Sequence, residues 1–223
     1  MSVVLPNTFS TVSRTALFDE PTAVDFRSLA APGLPEELLD QLRAKRFIIS
    51  TCQVHSEVSG HHSIEFLETL VKIPVQYRGR NYLHPVVTYV DHEYSLIRGY
   101  ILGFHKKFSR RPDRTDPMIL AVPELNLDLR AAPEASERKE PLPLPPEQQY
   151  PFLLWTDYSV GAVRSHGFTT LQSEGYRRIG IRHPRLLRTE QWVAGRQVTA
   201  RQLYEIEDTY TLVDMHPAEG SVG

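Results

Sequence analysis

Hydrophobic and polar positions along this chain alternate mostly with the period of strands. Residues 47–54 are rich in β-forming side chains, from Phe47, Ile48 and Ile49 through Cys52 to Val54, and a polar tip follows at Ser59 and Gly60. Residues 66–77, 82–90 and 94–104 make three more extended segments, punctuated by Gly79 and by the Asp91-His92-Glu93 cluster. Residues 118–122 and 125–129 each read as a strand, the second with period-two alternation. The last third returns to the same pattern at 152–155, 168–172, 176–182 and 210–214, while 198–204 fits a short helix or a strand. One segment differs. At 34–44, Leu38, Leu39 and Leu42 recur at spacings of three and four, Pro35, Glu36 and Glu37 suit a first helical turn, and Arg43 and Lys45 lie at the other end. Closely spaced strands with short links favour an antiparallel sheet over β-α-β units.

Two stretches fall outside this pattern. Residues 1–20 are mixed and weakly patterned, and the expectation is an N-terminal arm or an edge strand. Residues 131–151 are a low-complexity piece with Pro141, Pro143, Pro145 and Pro146 close together. Proline cannot donate to a strand ladder, so this segment favours extended or polyproline geometry, as a flexible loop or as an arm clasping a second subunit. The charges and prolines of 109–117 mark a surface loop. There is no internal repeat, and neither half carries a complete pattern of its own, so 1–223 reads as a single domain.

Composition narrows the class. With 41% hydrophobic and 23% charged residues in 223, the chain is expected to be soluble and globular with a sizeable core. A formal charge of −2 carries no footprint for nucleic acid. The single cysteine, Cys52, suits a reducing compartment. No apolar run approaches the ~20 residues of a membrane span, and no basic-then-apolar leader is visible, so a cytoplasmic location is expected. His55, His61 and His62 with Glu57 and Glu65 resemble a metal-ligand set, but adjacent histidines on a strand point to opposite faces, and a polar hairpin tip is the better reading. There is no Gly-x-Gly-x-x-Gly, phosphate-binding loop or Gly-x-Ser-x-Gly, so neither nucleotide chemistry nor serine hydrolysis is supported. No metal and no cofactor is expected.

The stretch that carries chemistry is Gly103-Phe104-His105-Lys106-Lys107-Phe108, two adjacent lysines walled by Tyr100, Phe104 and Phe108. A lysine in apolar surroundings loses hydration of its ammonium form, and a second ammonium next door pushes the same way. A neutral amine attacks a ketone to give an imine. Upstream stand Glu68-Thr69-Leu70-Val71-Lys72-Ile73-Pro74-Val75, then Tyr82-Leu83-His84 and Tyr89-Val90-Asp91. In that order these residues resemble the acetoacetate decarboxylase family over residues 46–109.

The resemblance implies a mainly β (α+β) fold, an antiparallel β-barrel or cone-like sheet assembly with a few helices, whose closing strand is 206–215. It also implies that Lys106 forms a Schiff base, that Lys107 is its cationic neighbour and that Glu68 handles protons. Activation of a lysine by a neighbouring cation is the known device of that enzyme. The family's active-site arginine finds its positional match at Arg14. Tyr100 and His105 occupy family positions with changed residues and are candidates for substrate contact. His84 either lines the pocket or is a buried, hydrogen-bonded histidine. Departures are specific: His105 replaces a proline, Arg98-Gly99-Tyr100 stands where Gly-Arg-Glu is common, and Ile48 falls where a second glutamate would. The implied activity is cofactor-free decarboxylation of a 3-oxo acid. The alternatives are a Schiff-base dehydratase, aldolase or cyclase of specialised metabolism, and a non-catalytic binding protein on the same scaffold. The implied partner is an oxo acid, and a homo-oligomer is expected.

Overall fold

The computed structural model describes residues 5–58, 62–111, 116, 118, 120–132, 144–160 and 163–218. It is mostly β, a curled half-barrel sheet with few helices. Chain order gives β1 (Asn7–Asp25), α1 (Glu36–Leu39), β2 (Arg43–Val58), β3 (His62–Tyr77), β4 (Arg80–Val90), α2 (Glu93–Ile101), β5 (Lys106–Phe108), β6 (Leu125–Asn126), β7 (Leu154–Val160), β8 (Val163–Arg182), β9 (Glu190–Val193) and β10 (Arg196–Pro217). The strands are ordered β5-β4-β3-β2-β1-β10-β8-β7, with β9 on β10 and β6 on β9. All named pairs are antiparallel except β4 with β5.

The sheet curls far enough for its two ends to meet. The amide of Leu83 in β4 donates to Pro151 O at 2.9 Å, and that of Leu153 donates to Leu83 O at 3.2 Å, just ahead of β7 at the far edge. The loop between α2 and β5 lies against β7 at the same junction. Gly103 sits there with φ +88°, and a Cβ on it would meet Thr156 Cγ2 at 2.9 Å and Trp155 O at 3.2 Å, so the turn and the close approach both require glycine.

Strand parity divides the side chains between two faces. On β3, Leu67, Val71, Ile73 and Val75 join the main core, while Phe66, Glu68, Leu70 and Lys72 point into the hollow of the curl. Phe18 stacks on Phe47 with ring centroids 4.6 Å apart, Phe26 meets Phe47 edge-on at 4.9 Å, and Leu38 and Leu42 from α1 and the 3-10 turn after it close over this core. The apolar face seen at 34–44 is therefore real, but its α-helical part is one turn long.

Several sequence expectations are corrected here. From Asn7 onward, the segment expected to be an arm or edge strand is a 19-residue strand between β2 and β10, in the middle of the sheet. Its pattern looked weak because Thr11, Ser13 and Thr15 face the hollow, where hydroxyls take the place of apolar side chains. The strand expected at 94–104 is α2. Its buried positions, Ser95, Arg98 and Gly99, followed by Leu102, keep helical spacing, whereas Ile97 and Tyr100 of the apolar run are more than half exposed. The His92 side chain caps the helix by accepting from the Tyr94 amide at 3.2 Å. Of the two strands expected at 118–129, only Leu125–Asn126 pairs among the described residues; Met118, Leu120 and Val122 pack on the main core without joining a ladder. The segments 168–172 and 176–182 form one strand, β8, and 198–204 belongs to β10.

Of the proline-rich piece, 133–143 lies outside the described residues, as does the tip at Ser59 and Gly60. The end of that piece is packed. Pro146–Gln149 is a 3-10 turn, Leu144 contacts Tyr204 and Ile206, and Glu147 is held by Arg46 at 2.7 Å. No helix among the described residues is long and apolar enough to cross a membrane.

Candidate active site

The hollow of the curled sheet is a cavity of about 760 Å³. Register explains its floor. Opposed residues share a face, so Glu68, Cys52, Ser13 and Ile206 form one row across β3, β2, β1 and β10. Leu70, Ser50, Thr15 and Tyr204 form the next, and Thr11, Asp208 and Arg178 follow on the other side. α2 and Phe104 cover one side, and residues 148–152 supply another wall. Four cationic side chains, Lys72, Arg98, Lys106 and Arg178, face the cavity with two carboxylates, Glu68 and Asp208.

Lys106 lies at the start of β5, and its side chain runs beneath α2. Nζ donates to Glu68 Oε2 at 3.0 Å and to Ser95 Oγ at 3.0 Å. The rings of Phe66 and Phe104 stand 5.6 and 5.7 Å from the same nitrogen. The lysine side chain is 7% exposed and the glutamate 19%, so the pair is largely withdrawn from water but open to the cavity. A buried amine, a carboxylate within proton-transfer distance and an aromatic enclosure make a site for carbonyl chemistry.

Gly99 makes room for this arrangement. A Cβ there would lie 2.1 Å from Lys106 Cε and 2.3 Å from Cδ. The Gly99→Ala variant is therefore expected to push the lysine stem aside rather than unfold the helix, which gains propensity from the change. Turnover should fall about 10²-fold, the typical cost of a ~1 Å misplacement, while the thermal midpoint stays level or rises. Steady-state rates beside a melting curve check it; a large loss of melting temperature would mean that Gly99 serves the fold instead.

Other expected site residues are placed elsewhere. Lys107 follows Lys106 on the strand, opposite Tyr89, and does not line the cavity. Arg14 is turned by the parity of β1 to the opposite face of the sheet, where it pairs with Asp116 at 2.6 Å and Glu205 at 3.6 Å and lines a small separate pocket with Met118 and Leu120; it does not line the large cavity. Tyr100 projects outward from α2, 56% exposed, with its ring 6.3 Å from that of Tyr158. His105 does not line the cavity, and burial, with Lys107 adding to it, lowers its pKa. His84 is the buried, hydrogen-bonded histidine of the two readings: Nδ1 lies 2.9 Å from Leu153 O, and burial lowers its pKa to about 4, so the ring is neutral. Ile48 is fully buried among Leu17, Leu83, Tyr150 and Phe152. His55 forms exposed pairs with Glu57 and Glu65 at 4.0 and 3.6 Å, and His61 lies outside the described residues.

The cavity also holds groups that sequence reading passed over. Lys72 donates to Ser50 Oγ at 2.8 Å, and burial lowers its pKa to about 8. Arg98 lies over the Phe9 ring at 5.1 Å and reaches Ser56 Oγ at 3.5 Å. Asp208 accepts from the Thr11 hydroxyl and from Tyr176 Oη, the latter at 3.2 Å. Burial, then Glu68 and Asp208, raise the pKa of Tyr210, and burial and Glu68 raise that of the Cys52 thiol, so both stay protonated at neutral pH. Lys72 was reachable from the sequence, since it is four residues from Glu68 on a strand and must share its face. Ser95 and Arg98 were not, because a strand reading of 94–104 aims them wrongly.

The family model for acetoacetate decarboxylase matches residues 33–122. No curated protein matches the chain. Among solved structures, the enduracididine biosynthesis enzyme MppR, complexed with the condensation product of pyruvate and imidazole 4-carboxaldehyde, is 13% identical with a TM-score of 0.63, covering 95% of this chain and 88% of that one. The acetoacetate decarboxylase of Legionella pneumophila is 12% identical with a TM-score of 0.58, covering 96% and 88%. An acetoacetate decarboxylase-like enzyme of Sphingomonas wittichii RW1 is 13% identical with a TM-score of 0.57, covering 97% and 94%. At these identities the likeness is one of fold.

Proposed function

This is a divergent chain of the acetoacetate decarboxylase-like fold, and on that premise we propose that it is a Schiff-base-forming enzyme acting on an oxo acid, with Lys106 as the amine and Glu68 as its proton partner. The observation that carries the reading is the placement of Lys106 Nζ 3.0 Å from both Glu68 and Ser95 inside a cavity large enough for a small acid. Glu68 accepts a proton from the ammonium, and the freed amine adds to the ketone carbon. Loss of water leaves a protonated imine. In a 3-oxo acid the carbon–carbon bond to the carboxylate then breaks, carbon dioxide leaves, and the bonding pair flows into the imine to give an enamine. Glu68, which gave its proton to the departing water, takes another from solvent and passes it to the enamine carbon; hydrolysis then returns the amine and releases the ketone.

A second reading keeps the same imine but takes a proton from the adjacent carbon instead, as a dehydratase or aldolase does. Two observations favour it. The cavity has more cations than carboxylates, and cations stabilise a substrate carboxylate in the ground state, which works against its departure. MppR, similar in fold, is seen with a condensation product of pyruvate. The readings separate in one experiment, in which a panel of 3-oxo acids is assayed for carbon dioxide release beside deuterium exchange at the carbon next to the ketone. Release of carbon dioxide supports the decarboxylase. Exchange without carbon dioxide assigns the second chemistry, and neither, with no imine formed, would leave a binding protein.

A further inference from the structure

Lys72 is a buried cation whose direct hydrogen-bond partner is neutral. It is 6% exposed, and among the described residues it forms no ion pair; its partner is the neutral hydroxyl of Ser50, which shares a 2.7 Å hydrogen bond with Thr15 Oγ1. An ammonium has three N–H donors, and one is used. The remaining capacity faces the cavity. The cross-strand neighbour of Lys72 is Ile48, which packs with Leu17 and Leu83, so the surroundings on that side are apolar. Retaining a cation in such a place is costly unless an anion meets it.

The other cavity cations are engaged differently. Lys106 is paired with Glu68, Arg98 packs on Phe9 and reaches Ser56, and Arg178 is exposed and donates to Tyr176. The carboxylates that act on Lys72 are Glu68 of its own strand β3 and Asp208 of β10, and the Cys52 thiol of β2 lies beside them.

Position then sets the spacing. Through Ser50, the Lys72 nitrogen is held at the row of Leu70, Ser50 and Thr15. Lys106 is held at the row of Glu68, two residues away along β3. At about 3.4 Å per residue the rows are roughly 7 Å apart. A 3-oxo acid bonded to Lys106 spans that gap only when fully extended, whereas a carboxylate two or more carbons further from the carbonyl reaches Lys72 in a relaxed conformation.

We propose that Lys72, with Ser50 and Thr15, forms a subsite for a carboxylate several bonds away from the carbonyl that Lys106 takes, so that the substrate is an oxo acid with an anionic far end. The inference rests on the reading of Lys106 as the carbonyl-binding amine. Lys72 is on this account a specificity-determining residue, and the carboxylate it holds is retained through the reaction.

The test uses methyl ketones with a terminal carboxylate, 4-oxopentanoate, 5-oxohexanoate and 6-oxoheptanoate, beside their methyl esters. The readout is the concentration giving half-maximal borohydride labelling. At the best chain length the acid should label wild-type protein at about tenfold lower concentration than its ester, the worth of a hydrogen bond to a charged group. In Lys72→Met the ratio should fall to about one. In wild type it should also decline above pH 8, because Lys72 carries its charge below about 8 and loses it above. A ratio near one in wild type at every length, or an unchanged ratio in Lys72→Met, overturns the proposal. If no ligand labels any form, the amine reading of Lys106 fails, and calorimetry with glutarate and adipate decides the subsite alone: binding that Lys72→Met abolishes sustains it, and absent or unaltered binding overturns it.

Discussion

Borohydride added with a suitable oxo acid should attach the reduced ligand to Lys106, and Lys106→Ala should reduce that labelling to background. The expectation follows from where the nitrogen sits. It is held between Glu68 and Ser95, under Phe66 and Phe104, and it opens on the cavity. Lys107→Ala should leave the same peptide labelled, because strand parity directs that side chain away from the ligand. The informative competitor is Lys72, the other buried lysine in the cavity. Peptide mapping distinguishes them, and adduct found on Lys72 with none on Lys106 would transfer the nucleophile's role to β3.

Glu68→Gln should separate imine formation from turnover. The amide keeps nearly the same shape and can still accept a hydrogen bond from Lys106, while Ser95 holds the lysine from the other side. Trapping should persist. An amide cannot take up and return a proton, so turnover should drop by about 10²-fold or more, the usual contribution of a positioned acid or base. Single-turnover trapping and steady-state rates on the same preparation make the comparison. Equal turnover in the two forms would reduce Glu68 to a structural partner of the lysine.

Most of the strands were legible because their period-two pattern arises from a core on one face, and the main core of Phe47, Ile49, Val71, Ile73 and Val75 repeats it faithfully. The pattern failed where a second face looks into a polar hollow. β1 lost its hydrophobic alternation to Thr11, Ser13 and Thr15, and its sequence reads as an arm or an edge strand rather than a central one. α2 failed for the same reason in helical form, since its inward stripe is Ser95, Arg98, Gly99 and Leu102 while Tyr94, Ile97 and Tyr100 face out. Propensity describes packing against apolar neighbours, and it misleads where the neighbour is a ligand cavity.

The pairing of Glu68 with Lys106 was accessible from motif order alone, because each residue lies in a run whose neighbours constrain it tightly. Arg14, Tyr100, His84 and His105 were assigned by position in a pattern, and position along a chain does not say which way a side chain turns. One residue of register on β1 separates Arg14 from Ser13 and Thr15, and that step moves it from the large cavity to Asp116 on the opposite face of the sheet. The residue sequence was enough for strand content and for naming the two residues, Lys106 and Glu68, that the fold brings together. The curl of the sheet decided everything that depends on a face: which hydroxyls floor the cavity, why Gly99 must be small, and where the Lys72 nitrogen sits, on Ser50 beside the cavity.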